Sequence, residues 1–160
     1  PSNKDRFLRK ETLQGFVHDE ASACFGGLAG NAGLFSTARD VARVYQMLLN
    51  GGEIDGQRYL SKETCQLFTT ETSKISRRGL GFDKPDADDP KKGNCAPAAP
   101  AGVYGHTGFT GTCAWVDPVN ELVYVFLSNR IYPDVTNRKL NQLHIRERIQ
   151  GAIYDAMKKK

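Results

Sequence analysis

Residues 104–130, YGHTGFTGTCAWVDPVNELVYVFLSNR, carry the strongest structural pattern in this 160-residue chain. Residues 112–116 alternate in polarity, residues 117–121 are turn formers, and residues 122–127 are nearly all apolar, which predicts a β-hairpin. Because the second run is apolar throughout, we expect a strand that is buried on both faces, with the hairpin at the centre of a sheet.

The residues that precede the hairpin combine small size with reactive groups. His106 offers a titratable ring, Thr107 a hydroxyl, and Gly108 allows a substrate to approach the backbone. We expect these three at the start of a strand, where the N–H groups that follow could stabilise an oxyanion. Alternatively, the glycines could have the purely structural role of allowing a tight turn into the strand, with His106 exposed. The local sequence does not decide between a functional and a structural role.

Further upstream, a glycine-rich stretch at residues 26–35 predicts an ordered loop, and a helix follows it. Thr37 and Asp40 form the start signal of the helix, and the glycines in residues 50–52 end it. The apolar positions recur at helical spacing and predict one buried face, made of Val41, Val44, Tyr45 and Leu48. The pattern therefore places a helical segment before the sheet.

Between this helix and the sheet we predict three short elements and a loop. Residues 53–58 indicate a small hairpin with Asp-Gly at its tip, and a short helix beginning at Ser61 should bury Leu67 and Phe68. Residues 79–82, GLGF, indicate a strand that passes close to another backbone. Residues 84–102 are rich in proline and alanine and predict a loop.

The chain should close with a helix from about Asn137. Its apolar stripe is predicted to lie on the sheet and consists of Ile145, Ile149, Ala152, Ile153 and Ala156.

Composition excludes several classes of protein. The chain has 22 basic and 18 acidic residues, a net charge of +4, and basic residues that are scattered, which argues against nucleic-acid binding. The basic run at residues 158–160 is interpreted as a solvated tail. No apolar run reaches the ~18 residues of a membrane span. Length indicates one domain.

The four cysteines do not form a recognisable metal-binding or redox motif. They are too few for a disulfide scaffold, so we expect buried free thiols or one optional bridge. The sequence begins at Pro1 without an initiator methionine, which is compatible with a processed protein or with a piece of a longer one.

Several motifs together resemble a known family. The segment at residues 105–108, GHTG, resembles the K-T-G third motif of serine β-lactamases and penicillin-binding proteins, in the H-T-G form of class C-like, β-lactamase-related hydrolases. Residues 27–43 resemble the family's glycine loop and the helix that follows it, and residues 79–82, 115–118 and 127–130 resemble its later strands. Residues 17–20, VHDE, are similar to Bacteroidetes-type members, some of which are fused to a family 3 glycosidase domain.

The resemblance implies an α+β fold, part of a β-lactamase/transpeptidase-like domain. We expect an antiparallel sheet of about three strands packed with a C-terminal helix, plus a helical segment. Residues 1–160 would form the C-terminal portion of the hydrolase domain. Residues 1–75 would be its loop and helical part, and residues 76–160 the sheet with the terminal helix.

The resemblance also implies site residues. His106 takes the place of the motif lysine, Thr107 and Gly108 complete the motif, and the Phe109 N–H is the second oxyanion donor. No cofactor and no metal is implied. Candidate substrate contacts are His18, Asn129 and Arg130.

For the substrate contacts a structural role is equally open, because His18 could hydrogen-bond within its loop and the other two could cap a strand. His144 is expected to be structural or on the surface. Asn31 stands where relatives often carry histidine, so any role of that histidine would be lost.

Two other motifs of the family are not found in the chain. No serine is followed by lysine three residues on, and no tyrosine or serine is followed by asparagine two residues on. We therefore expect the S-x-x-K nucleophile and the Y-x-N motif on an upstream part of the same hydrolase, and we expect this chain to be inactive alone.

The implied reaction is acyl-enzyme hydrolysis of a small-molecule or peptide substrate, which could be an ester, amide, peptide or β-lactam. A histidine is mostly neutral at pH 7, unlike lysine, which favours an ester, amide or peptide over efficient β-lactam turnover. The alternative is a non-catalytic binding or structural module tethered to a glycosidase or a cell-envelope protein. A third interpretation is an unrelated α/β domain with chance motif overlap. By resemblance, the location would be the periplasm, the cell envelope or the exterior.

Overall fold

The computed structural model describes residue 2 and residues 4–70, 73–90 and 92–158. It is an α+β structure, as expected. Its elements in chain order are α1 (Glu20–Cys24), α2 (Ala38–Leu49), β1 (Glu53–Ile54), β2 (Gln57–Arg58), α3 (Lys62–Thr69), β3 (Tyr104–Thr107), β4 (Cys113–Asp117), β5 (Leu122–Phe126), α4 (Lys139–Gln142) and α5 (Ile145–Met157). The basic run at residues 158–160 lies outside the described residues except for Lys158.

The main sheet is antiparallel, with strand order β3-β4-β5. Trp115 of β4 pairs with Gly105 of β3 on one side and with Tyr124 of β5 on the other. All five residues of β4 are buried, whereas only Tyr124 of β5 is buried. The hairpin is confirmed. We expected its second strand, β5, to be buried on both faces, but the strand that is buried along its whole length is the first one, β4. The reason is that β3 pairs with β4 and leaves β5 at the edge of the described sheet.

The core lies around Trp115, which is fully buried. It forms a cluster with four other buried residues, Val103, Cys95, Cys113 and Tyr124. Position 105 must be glycine, because a Cβ atom there would overlap the Ala114 carbonyl oxygen and the Trp115 ring. Close approach of two strands over the indole therefore depends on this missing side chain.

The helix α2 and the small hairpin agree with their sequence signals. The Thr37 side chain accepts a hydrogen bond from the Asp40 N–H at 3.2 Å, and the chain leaves the helix through glycines at positive φ. Asp55 and Gly56 both have positive φ, as the two-residue turn between β1 and β2 requires. Helix α2 packs on β4 and β5. Its apolar face is less buried than predicted, since Val44 is exposed and the other three residues of that face are half-buried.

Helix α3 begins after Ser61 as predicted, and the Ser61 hydroxyl accepts a hydrogen bond from the Thr64 N–H. The prediction that Leu67 and Phe68 are buried is wrong, since they are 53% and 43% exposed. The helix turns Cys65 inward instead, and this cysteine is the one buried residue of α3.

Residues 79–82 do not form a strand. They form a turn in which the Gly79 N–H donates to the Phe82 carbonyl, and only the next residue, Asp83, bridges to Gly105. The predicted close backbone approach is present, because the Leu80 N–H donates to the Phe68 carbonyl at 3.0 Å and a Cβ at position 79 would overlap that oxygen. Glycine here serves contact with α3 and not strand pairing.

The C-terminal helix is interrupted at His144, which adopts φ 48°, so that α4 and α5 are separate. His144 is exposed, as predicted. The predicted stripe is correct only in part: Ile153 packs against the core and Ile145 is half-buried, whereas Ile149, Ala152 and Ala156 are exposed. The buried residues of α5 are polar or aromatic ones, Arg146, Gln150 and Tyr154.

Each of these buried residues of α5 reaches a polar group outside the helix, and the partner of Tyr154 belongs to strand β4. The Ala96 N–H donates to Gln150 Oε1 at 2.8 Å, and the Tyr154 hydroxyl donates to Asp117 Oδ2 at 2.9 Å. Arg146 donates to the Thr112 carbonyl at 3.2 Å. A hydrophobicity pattern does not detect partners of this kind.

The loop prediction for residues 84–102 is confirmed, since the described residues 84–90 and 92–102 contain no helix and no strand. All four cysteines are free thiols, three of them buried, in agreement with one of the two alternatives. Burial raises the pKa of Cys95 to about 12 and that of Cys113 to about 11, so these thiols are not activated nucleophiles.

A buried carboxylate, Asp83, ties the loop to the sheet. It accepts hydrogen bonds from Arg77 at 2.8 Å and from the Asn94 amide at 2.7 Å. Burial disfavours its charged form, but the hydrogen bonds from Arg77 and Asn94 outweigh this, and the pKa of Asp83 lies below its ordinary value. The folded state therefore favours the ionised carboxylate.

We expect Asp83→Asn to lower the stability at neutral pH and to flatten its acid dependence. Because the folded pKa lies below the unfolded one, which is about 3.9, the ionised carboxylate stabilises the fold above that value. The stabilisation disappears as the pH falls through the folded pKa. Urea unfolding at a series of pH values measures it, with the exposed Asp155→Asn as control. Parallel profiles for wild type and Asp83→Asn would contradict the assignment.

Candidate active site

The segment that carries the candidate motif joins β3 to β4. His106 and Thr107 are the last two residues of β3, and Gly108 begins the turn, so the expectation that all three start a strand is corrected. The sequence pattern did not reveal β3 itself, which pairs with β4 through residues 104–107. The motif consequently lies at a strand end, where the backbone leaves the sheet.

Two backbone hydrogen bonds and two glycines shape the turn after β3. The Gly108 N–H donates to the Thr112 carbonyl at 2.8 Å, and the Gly111 N–H donates to the Gly108 carbonyl at 3.0 Å. A Cβ atom on Gly108 would overlap the Thr112 hydroxyl, and Gly111 has φ 109°. Glycine is thus needed at both positions to bring Phe109 and Thr110 to the tip.

Phe109 has one backbone group engaged and one available. Its carbonyl oxygen accepts a hydrogen bond from Arg130 Nε at 2.8 Å. Its N–H donates to no acceptor in the part of the chain that the structure describes. A fixed peptide with an unused N–H is what stabilisation of an oxyanion requires.

Arg130 and His18 hold the Phe109 side chain. The guanidinium carbon of Arg130 lies 4.6 Å from the centroid of the Phe109 ring, and the His18 ring stacks on it with centroids 5.4 Å apart. The Arg130 N–H also donates to the Thr110 carbonyl at 2.9 Å, and its Nη1 donates to the Val135 carbonyl at 3.2 Å. Two of the three predicted substrate contacts, His18 and Arg130, therefore lie at the motif, where Arg130 donates to backbone carbonyls.

His18 is held at the site by its own backbone. Arg9 donates to the carbonyls of His18 at 3.0 Å and of Val17 at 2.6 Å, and it pairs with the buried Asp5. The hydrogen bond from Arg9 keeps the pKa of Asp5 well below its usual range. The sequence analysis did not predict these contacts between the N-terminal residues and the motif. The only sequence signal for them was an aspartate and an arginine four residues apart.

The His106 ring is exposed and lines the cleft described next. Its Nδ1 atom lies 2.7 Å from the Thr107 carbonyl oxygen. Asn129 follows β5 and lies in the same cleft. Asn31 also lines the cleft, and its amide donates to Asp19 at 3.2 Å while its oxygen accepts from the Ser22 hydroxyl. Asn31 thus orders the loop beside the site.

A large open cleft of about 1350 Å³ surrounds these residues. The residues that line it include His106, Thr107, Gly108, Phe109 and His18. The cleft is also lined by apolar side chains that the sequence analysis did not assign to a site, among them Leu34, Phe35, Val41, Tyr45 and Leu127. Leu34 is 83% exposed and Phe35 63%. The sequence signal for this wall was the apolar pair Leu34-Phe35 at the end of the glycine-rich stretch.

The described residues contain no group of three or more His, Cys, Asp or Glu side chains that could hold a metal ion. Among those same residues, the helices are all too short or too polar to cross a bilayer.

Comparison with known proteins shows the family of the chain. The β-lactamase family model matches residues 3–147. The chain therefore belongs to the β-lactamase family, the serine β-lactamase and penicillin-binding-protein-like superfamily that the motifs resemble.

Curated relatives are similar over most of the chain. A protein of Escherichia coli K12 named "Putative D-alanyl-D-alanine carboxypeptidase" is 38% identical over 135 residues, which is 84% of this chain and 31% of the relative. Proteins with the same name from Salmonella agona and Salmonella typhi are 38% identical over 141 residues, with the same coverage. The chain spans about a third of the length of these relatives.

Proposed function

We propose that this chain is the C-terminal portion of a serine hydrolase that forms an acyl-enzyme. Its H-T-G motif at residues 106–108 and the Phe109 N–H would serve a nucleophile that lies on an upstream part of the same hydrolase. The observation that carries the proposal is the unused N–H of Phe109, in a peptide fixed by Arg130, beside His106 in an open cleft.

The mechanism assigns each group a step. The upstream serine attacks the substrate carbonyl carbon, and the carbonyl oxygen becomes an oxyanion. The Phe109 N–H donates a hydrogen bond to that oxygen, together with the N–H of the serine itself. The proton of the serine hydroxyl would pass through the lysine of the upstream S-x-x-K motif to the leaving group, which departs as its bond to the carbonyl carbon breaks. Water then hydrolyses the acyl-serine ester and restores the serine hydroxyl. His106 and Thr107 bind the substrate beside the reacting bond.

The size and lining of the cleft support an absent partner segment. Pockets for small ligands have volumes of about 300–1,000 Å³, and this cleft exceeds that range. Its wall contains Leu34 and Phe35, whose exposure in water is unfavourable for a folded hydrolase. We propose that the upstream part, with the S-x-x-K and Y-x-N motifs, covers this wall and leaves a smaller site.

The substrate class follows from the relatives. Their name indicates peptides that end in D-alanyl-D-alanine, and we propose a peptide, amide or ester substrate for the hydrolase that contains this chain. The same name favours an enzyme of the periplasm or cell envelope. The similarity to Bacteroidetes-type members, and the fused glycosidase that it implies, stay predictions.

A hybrid protein tests the proposal. The segment of the E. coli relative that aligns with this chain is replaced by this chain, and the purified hybrid is treated with a fluorescent penicillin and with a fluorophosphonate. We expect the hybrid to be labelled on serine and this chain alone to remain unlabelled. The intact relative is the positive control, and its upstream part alone is the negative control.

Two results would contradict the proposal. Labelling of the chain alone would show a nucleophile within these 160 residues. A hybrid that folds but stays unlabelled, while the intact relative is labelled, would favour the non-catalytic binding or structural module.

A further inference from the structure

We propose that Arg9 and His18 are positioning residues for the Phe109 N–H, the group that donates to the oxyanion in the proposed reaction. Arg9 holds the backbone at residues 17 and 18, so that the His18 ring stacks on the Phe109 side chain and keeps the Phe109 peptide in place. The inference rests on the proposed function, because it concerns the oxyanion donor of the same site. It gives His18 a role other than the substrate contact that the sequence suggested.

The turn that carries Phe109 gives its peptide little support of its own. Gly108 and Gly111 have no side chains to pack against the rest of the protein, and the Phe109 ring is 62% exposed. That ring contacts Arg130, which also binds the Phe109 carbonyl, and it stacks on His18. Because His18 comes from a distant part of the chain, its ring ties the turn to a second segment of the fold.

The backbone of His18 is fixed on both sides. Arg9 Nη1 donates to the Val17 carbonyl at 2.6 Å, and Nη2 donates to the His18 carbonyl at 3.0 Å. The Nε of the same guanidinium donates to Asp5 Oδ2 at 2.6 Å. Since a guanidinium is planar and its donors point in fixed directions, these three bonds orient the backbone at residues 17 and 18. On the other side, the Asp19 side chain caps helix α1.

The Asp5 carboxylate is the fixed end of this series of contacts. The residue is 6% exposed, and its carboxylate accepts hydrogen bonds from the backbone N–H groups of Phe7 at 2.9 Å and Leu8 at 3.1 Å. Arg9 therefore donates from a position that a buried anion holds. The contacts lead without a break from Asp5 through Arg9 and His18 to the Phe109 ring.

The strength of the stacked contact sets the size of the expected effect. A contact between two aromatic rings changes the population of the conformer that it holds by about two- to tenfold. A displaced oxyanion donor lowers the rate of the chemical step, because catalysis depends on the position of each group. We therefore expect loss of the stack to lower kcat of the hybrid by about fivefold. KM should not change, because the oxyanion exists only along the reaction path.

NMR of this chain alone tests whether Arg9 holds the stacked rings. The ring current of Phe109 displaces the proton signals of the His18 ring, and Phe109→Leu removes that displacement. His18→Phe identifies the His18 signals among the three histidines. We expect Arg9→Ala to move these signals toward their positions in Phe109→Leu. The matched control is Arg148→Ala, at an exposed arginine of α5, which should leave them in place.

Two NMR results would overturn the proposal. One is a set of His18 signals that Arg9→Ala does not move, and the other is a set that Phe109→Leu does not move. Arg9→Lys keeps a positive charge beside Asp5 but lacks the planar fork of donors. It gives the same comparison where alanine disturbs the fold, and we expect it to move the His18 signals in the same direction.

Kinetics of the hybrid separate positioning from substrate contact. We expect His18→Ala to lower kcat by about fivefold with KM unchanged. His18→Phe should retain the kcat of the wild-type hybrid, because a phenyl ring can stack on Phe109 in the same way. A rise of KM in both variants with kcat unchanged would identify a substrate contact and overturn the proposal.

A double-mutant comparison tests whether His18 acts through the Phe109 ring. In a Phe109→Ala hybrid the ring is already absent, so His18→Ala should cause no further loss of kcat. A full fivefold loss in that background would show that His18 acts in another way, against the proposal. An inactive hybrid would count against the proposed function, whereas the NMR comparison would still decide whether Arg9 holds the stack.

Discussion

Phe109→Pro is expected to lower kcat of the hybrid hydrolase by about 10²–10³-fold, because it removes the N–H that would donate to the oxyanion. That N–H has no acceptor in the described part of the chain, so its loss breaks no hydrogen bond of the fold. Steady-state kinetics with an ester substrate measures the effect, and the loss should appear in kcat because the oxyanion exists only along the reaction path.

Phe109→Ala is the matched control for this prediction. It keeps the backbone N–H and removes the ring that contacts Arg130 and His18. We expect a much smaller loss of kcat from alanine than from proline. Equal losses would mean that the ring and not the N–H matters, and a proline variant within tenfold of wild type would remove Phe109 from the catalytic machinery. Unfolding midpoints close to that of the wild type would show that neither variant has lost its structure in general.

The second large effect concerns stability. Trp115→Ala is expected to lower the free energy of unfolding by about 3–5 kcal/mol, which is usual for a large buried aromatic side chain. Trp115 is in the central strand, lies in the core cluster and pairs with both neighbouring strands. The cavity would open directly under Gly105, whose missing Cβ allows the indole to fit. Urea unfolding monitored by circular dichroism measures the loss.

Two variants keep this prediction testable even where alanine leaves the chain unfolded. Trp115→Phe retains most of the buried volume and should lose less stability than alanine. Val119→Ala lies in the exposed turn of the same hairpin and should change stability by less than about 0.5 kcal/mol. A Trp115→Ala variant as stable as Val119→Ala would contradict the assignment of the core.

The elements predicted correctly from sequence are those with local causes. Helix α2 starts where the Thr37 side chain can accept from the Asp40 N–H, three residues along the chain. The turn between β1 and β2 needs two residues at positive φ, and Asp55-Gly56 supplies them. The family resemblance, carried by short motifs, likewise led to the family that the comparison confirms.

The errors concern which side of an element is buried. The apolar stripe of α5 was predicted to face the sheet, yet the buried side chains include Gln150 and Tyr154, whose hydrogen-bond partners are Ala96 in the loop and Asp117 in β4. Leu67 of α3 was predicted to be buried and is exposed. Residue spacing describes one helix at a time, whereas burial depends on a second element that arrives from far along the chain.

The candidate site divides in the same way. The sequence by itself determined the motif at residues 106–108, its neighbour Phe109 and the capped helix α2, because these depend on residue types and on contacts within a few positions. Only the tertiary structure decided that Arg130 holds the Phe109 carbonyl, that His18 stacks on its ring, and that apolar side chains wall the cleft. Those contacts join segments 21 and 91 residues from Phe109, and no local pattern records them, because their geometry exists only after the sheet has formed.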